Sequence, residues 1–171
     1  MERKTRARQA ADERWAGVDV AEGQLEQLAR SVVSAWCARA GLGVAEPRSE
    51  DVRFDCVVSA PDLAWLVPVM LKSVARDGMT VAAKNADFPG VIVWVYLGNS
   101  DGGYAARQQT SMVVLDPQAA WALPTELGVE CTRGAYRWPS LTQPLRARLA
   151  EHTATTPAQL RTLLEQHGWR K

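Results

Sequence analysis

Residues 54–73 read FDCVVSAPDLAWLVPVMLKS, two apolar runs separated by a Pro-Asp turn signal. The first run, FDCVVSA, reads as a strand, and the turn at Pro61-Asp62 connects it to LAWLVPVMLKSVA, a second strand. Pro68 is awkward at the centre of a sheet, because it removes a ladder donor, and points to a bulge or a late strand start. The second run ends on Lys72, seventeen residues after Asp55. Only four of the twenty basic residues in this chain are lysines, so a lysine at that strand end stands out.

Working outward, the first 20 residues are charged and alanine-rich and read as a frayed helix or an arm. From Ala21 to Ala40, Leu25, Leu28, Ala29, Val32, Val33, Trp36 and Ala40 recur at three- and four-residue spacing, which predicts a helix with one buried face ended by Gly41 and Gly43. Downstream of the opening stretch, Arg76-Asp77-Gly78 is a turn signal, and MTVAAKNA fits a short strand or a helix. PGVIVWVYLGN is almost entirely β-branched or aromatic between two turn signals, so it reads as a strand buried on both faces. After the polar loop SDGGYAARQQ comes another strand, TSMVVLDP. Pro117 then starts a helix that Pro124 shortens or kinks. VECTRGAYRWPS reads as a last strand and turn. PLRARLAEH and TPAQLRTLLEQHG read as two closing helices, the second with Thr156 as cap, Pro157 at its first position and Gly168 at its end.

These elements predict an α/β fold with a central mixed sheet of four or five strands flanked by helices. The core covers residues 21–140, and the C-terminal helices of residues 141–171 pack on the same domain. A length of 171 residues with 47% apolar content is enough for one proper core.

Composition excludes several function classes. No run approaches the roughly 18 apolar residues of a membrane span, and MERKTRARQAADERW has no hydrophobic segment behind its charges, so a soluble cytoplasmic protein without a signal peptide is expected. Cys37, Cys56 and Cys131 are odd in number and widely spaced, which supports neither a disulfide framework nor a zinc ribbon and predicts reduced, mostly buried thiols. With only His152 and His167 present, a multi-histidine metal site or a Ser-His-Asp triad is disfavoured. Gly102-Gly103 lacks the Gly-Lys-Ser/Thr sequel of a phosphate-binding loop.

Net charge is +2 over residues 1–15, +3 over residues 141–171 and −4 between them. Basic ends are compatible with phosphate contacts, as they are with solvated helix faces. Seven tryptophans are present; Trp36 and Trp94 fall on apolar runs and read as core. Trp138 beside Arg137 and Trp169 beside Arg170 are candidate contacts to nucleic acid or a partner.

Three positions carry the chemistry. Asp55 begins a strand, Lys72 ends the next, and Glu26 lies on the preceding helix in GQLEQLA. Hard cations bind carboxylate oxygens, and metal-assisted phosphodiester cleavage needs fixed carboxylates with a lysine to orient water or offset developing charge. The plainer reading is a lysine that snorkels to water and an aspartate that caps a turn.

The order Gly23-x-x-Glu26-x-x-Ala29 on a helix, then Asp51-Val-Arg-Phe-Asp55-Cys-Val-Val, then a strand ending Val69-Met70-Leu71-Lys72-Ser73, resembles the core of the PD-(D/E)XK nuclease superfamily. The hydrophobic strand VIVWVYLG and the strand-helix MVVLDPQAAWAL are similar to its small bacterial branch. The likeness spans about residues 20–128 and rests on element order and short motifs. It implies a restriction-endonuclease-like fold in which Asp55 and Glu26 hold magnesium or manganese and Lys72 is the catalytic lysine. The implied partner is nucleic acid, DNA foremost, with a protein partner or a second copy of the chain also compatible.

One position departs from the pattern: Met70, two before the lysine, stands where the superfamily places an acidic residue, and methionine supplies no hard oxygen. Glu26, Asp51 and Asp77 are the candidates to replace it. An alternative alignment takes Pro61-Asp62 and Ala82-Ala83-Lys84 as the two motifs. Two functions follow from the resemblance. One is a metal-dependent nuclease that hydrolyses DNA, its backbone gripped by Arg133, Arg137, Arg146 and Arg148. The other is a catalytically degenerate nuclease fold kept as a nucleic-acid-binding or protein-interaction module in bacterial defence or regulation. A third reading, an adaptor without a nucleic-acid role, gains if those four arginines are scattered.

Overall fold

The computed structural model describes residues 22–49, 52–74, 78–97, 110–129, 131 and 133–170. The expected N-terminal arm, Asp51, Asp77 and the Gly102-Gly103 loop lie outside them. Helix α1 (Glu22–Arg39) is followed by strands β1 (Gly43–Ala45), β2 (Cys56–Ser59) and β3 (Trp65–Val74). Next come β4 (Met79–Ala82), a 3-10 turn (Ala83–Asn85), β5 (Val91–Tyr96), β6 (Ser111–Leu115) and α2 (Pro117–Glu126). The chain closes with β7 (Ala135–Trp138), α3 (Gln143–Leu149), β8 (Thr153–Ala154), α4 (Pro157–Gln166) and β9 (Trp169–Arg170).

The α/β expectation holds, with a larger sheet than the predicted four or five strands. Seven strands join in the order β1-β2-β3-β5-β6-β8, with β9 added beside the start of β3. The sheet is mixed: β3 and β5 run parallel, and the other pairs are antiparallel. The extra strands are two or three residues long, too short to display a period of two. Strand β7 is not in this sheet; it pairs with β4 in a separate two-stranded ribbon.

Alternation along the central strands fills two cores. Val67, Val69, Leu71, Val91, Val93 and Val95 face α1 and α4, where Ala29, Val33, Cys37, Leu160 and Leu164 complete one apolar layer. Met70, Ile92, Trp94, Val113 and Leu115 face the other way, against α2, α3 and the ribbon. Strand β5 is therefore buried on both faces, as its composition predicts. Trp94 Nε1 donates to the Thr80 carbonyl at 3.2 Å, so a buried tryptophan of the sheet ties the ribbon to it.

The buried face of α1 is narrower than the apolar pattern suggests. Ala29, Val33 and Cys37 make the i, i+4, i+8 contact with the sheet, whereas Leu28 is 50% exposed. Gly41, at φ +70°, turns the chain out of the helix. Helix α2 continues to Glu126, two residues past Pro124, after a cap in which Asp116 accepts from the Gln118 and Ala119 amides. The Thr156 cap and Pro157 start of α4 are as expected, and no described helix is long and apolar enough to cross a membrane.

Pro68 sits inside an unbroken β3. The Trp65 and Val69 carbonyls accept from Ala60 and Asp55 on the β2 side. By alternation the Pro68 nitrogen faces the other edge, where β9 has ended at Leu66 and β5 pairs only from Val69. The missing donor thus falls in a gap between two neighbours. Gly90 passes so close there that a Cβ would lie 2.1 Å from the Pro68 carbonyl oxygen.

Candidate functional site

Strand β3 outruns β2. The ladder between them ends at Cys56↔Val69, leaving the Leu71 amide without a strand partner on that side. Asp55 Oδ2 accepts from it at 2.6 Å, and the Asp55 amide donates to Val69 O at 2.8 Å. The carboxylate thus extends the ladder by one bond. Its other oxygen, Oδ1, accepts from Arg30 Nη2 at 2.7 Å, and the same nitrogen donates to Glu26 Oε1 at 2.9 Å. The Arg30 guanidinium is held above its ordinary pKa, first by the Glu26 bond and then by the charge of Asp55.

Asp55 and Lys72 line a common cleft of about 640 Å³, so these two predicted site residues are brought together. Glu26 does not line it and reaches Asp55 only through Arg30. Met70 is 8% exposed: it packs in the second core and borders the cleft beside Lys72 on the same strand face. Lys84, the lysine of the alternative alignment, lines the same cleft from the turn after β4. Its proposed partner Asp62 does not: Asp62 accepts from the Ala64 amide in the turn between β2 and β3.

Sequence reasoning missed the clamp that shapes one wall. Arg53 pairs with both oxygens of Asp87, at 2.9 and 3.3 Å, and donates to the Lys84 carbonyl at 2.6 Å. The Asp87 carboxyl is held below the usual carboxylate range by Arg53. Thirty-four residues separate the pair, so no local spacing announces it. Arg30 carried a partial signal, four residues after Glu26 on one helix face.

The cleft's charges divide accordingly. Asp55 and Asp87 are each tied to a guanidinium. Among the described residues, Lys72 and Lys84 have neither an ion pair nor a side-chain hydrogen bond. A cleft with two uncommitted ammonium groups favours an anion.

Among the described residues, Asp55 and Glu26 are not arranged as an open carboxylate pair for magnesium or manganese. Both Asp55 oxygens are engaged, a guanidinium lies between Asp55 and Glu26, and Met70 offers only a thioether. Among the described residues, no three His, Cys, Asp or Glu side chains cluster to hold a metal ion.

The four predicted backbone-binding arginines fall into two pairs. Arg133 and Arg137 are exposed on the ribbon, and the Ala83 amide donates to Gly134 O at 2.8 Å, placing the Arg133 turn beside the cleft rim. Arg146 and Arg148 stand on α3, where Arg148 pairs with Glu126 and Arg146 Nε donates to Leu141 O. Trp138 is buried against Tyr136 in the second core, which removes it as an open contact, whereas Trp169 is exposed. Burial pushes the Cys37 and Cys56 thiols up to about 12, as reduced core cysteines should behave; Cys131 is half-buried.

No protein-family model, no curated protein and no solved structure matches this chain.

Proposed function

We propose that this chain is a restriction-endonuclease-like fold whose cleft binds the phosphate backbone of nucleic acid, DNA foremost, without hydrolysing it. The observation that carries the reading is Arg30. Its guanidinium fills the space between Glu26 and Asp55 and leaves Lys72 and Lys84 as the uncommitted charges of the cleft. The core-packed Met70 supports it, because it brings no carboxylate oxygen to the position beside Lys72. Support for the fold comes from the element order: a helix, an antiparallel run of β1, β2 and β3, and β5 parallel to β3.

The test is fluorescence anisotropy of labelled DNA between about 50 and 200 mM salt, beside a cleavage assay with magnesium or manganese. Binding should weaken with salt, and Lys72→Ala and Lys84→Ala should each lower the log–log salt slope by about 1. Metal-dependent cutting abolished by both Lys72→Ala and Asp55→Ala, with each variant shown to be folded, would establish the nuclease instead. Absence of binding even at low salt would transfer the assignment to a protein-interaction module.

A further inference from the structure

The lining of the cleft is two-sided. Val52, Phe54 and Met70 give it an apolar wall; its polar lining comprises Lys72, Lys84 and Asn85 together with Arg53, Asp55 and Asp87, the two carboxylates already tied to guanidinium groups. Phe54 is half-buried, anchored against the second core while bordering the cleft. A ring held in this way loses little freedom when a second flat ring is laid on it. A smooth phosphate track along the surface would need only the cations; a phenylalanine lining the same cleft suits a ligand with a flat apolar face next to its negative charge.

We propose that the cleft takes one unpaired nucleotide, its base against Phe54 and its phosphate between Lys72 and Lys84. This inference rests on the nucleic-acid reading above and narrows it to single-stranded or extruded bases. A volume of about 640 Å³ suits a nucleotide-sized ligand. A base stacked in a duplex cannot present its face to a wall inside a cleft, so strand separation is the entry requirement. Base–aromatic stacking tolerates any base, so discrimination among bases falls to Asn85, whose amide offers both a donor and an acceptor.

The test compares a labelled 12-nucleotide single strand with the duplex of the same sequence, using the full chain and Phe54→Leu and Phe54→Tyr variants shown to be folded by circular dichroism. The wild type should bind the single strand about ten-fold or more tightly than the duplex. Phe54→Leu should lose about five-fold or more on the single strand with an unchanged salt slope, and Phe54→Tyr should retain binding. A nucleoside monophosphate should compete with the strand, and inorganic phosphate at matched ionic strength should not. Equal binding of strand and duplex, or an unaffected Phe54→Leu, overturns this inference and leaves the backbone-binding reading standing. Failure of the wild type to bind either DNA at low salt overturns both.

Discussion

Asp55 Oδ2 accepts a hydrogen bond from the Leu71 amide at 2.6 Å, standing where a longer β2 would have supplied a carbonyl. One side chain thereby finishes a strand edge and also anchors Arg30. Its removal has a structural consequence independent of any activity. Asp55→Ala should destabilise the fold by about 1–3 kcal/mol, since it leaves a strand amide without its acceptor and the Arg30 guanidinium with Glu26 as its one remaining partner. Asp55→Asn, which keeps an acceptor oxygen, should lose clearly less. Urea denaturation of the two variants measures the difference, and equal losses would refute the ladder-extension role.

Met70 offers the converse experiment. Restoring an acidic residue with Met70→Glu places a carboxylate in an apolar layer, among Ile92, Trp94 and their neighbours. A loss of about 2–4 kcal/mol is expected from burying the charge, which Lys72 on the same strand face offsets only in part. Met70→Leu, close in volume, should stay within about 1.5 kcal/mol of the parent. Thermal melts at neutral pH distinguish the two.

Gly90 tests the crossing with Pro68. A Cβ at that position would meet the Pro68 carbonyl oxygen at 2.1 Å and the Phe88 ring at 2.8 Å, and backbone cannot swing aside as a flexible side chain can. Gly90→Ala should lower stability by about 3 kcal/mol or more. A melting temperature within a degree of the parent would contradict this packing.

His167 supplies a pH dependence. Burial holds its pKa below the ordinary value, with Asp116 opposing and His152 reinforcing the shift. The unfolded chain then binds more protons than the folded one in the window below about 6.5, so stability rises with pH there. His167 should cost nothing well above that value and progressively more as pH falls from it toward the depressed folded pKa. His167→Gln should flatten the stability curve between about pH 5 and 7, read by denaturation midpoints in matched buffers.

The parts of the fold written in local pattern were legible. VIVWVY has no polar residue to give either face to water, Asp116-Pro117 and Thr156-Pro157 carry their own helix starts, and Gly41 ends α1. The strands β8 and β9 have two residues each and exist only because a neighbour is there to pair with. Sending β7 to β4 rather than to the main sheet is likewise a tertiary decision. At the site, the sequence placed Asp55 at the head of one strand and Lys72 at the end of the next, and both line one cleft. The Arg53–Asp87 clamp and the Arg30–Asp55 bond span 34 and 25 residues, and nothing in the local spacing encodes them.

Lys72 belongs to the large sheet, and Lys84 to the turn that leaves the ribbon. The separation of their two charges is therefore the setting of an interlayer joint, held by Trp94 on Thr80 and by Arg53 on the Lys84 carbonyl. For the ligand proposed above, selectivity would then be retuned without touching the ligand's own contacts: a change in how tightly the ribbon seats on the sheet alters the gauge between the cations, and with it the spacing of negative charge that would fit.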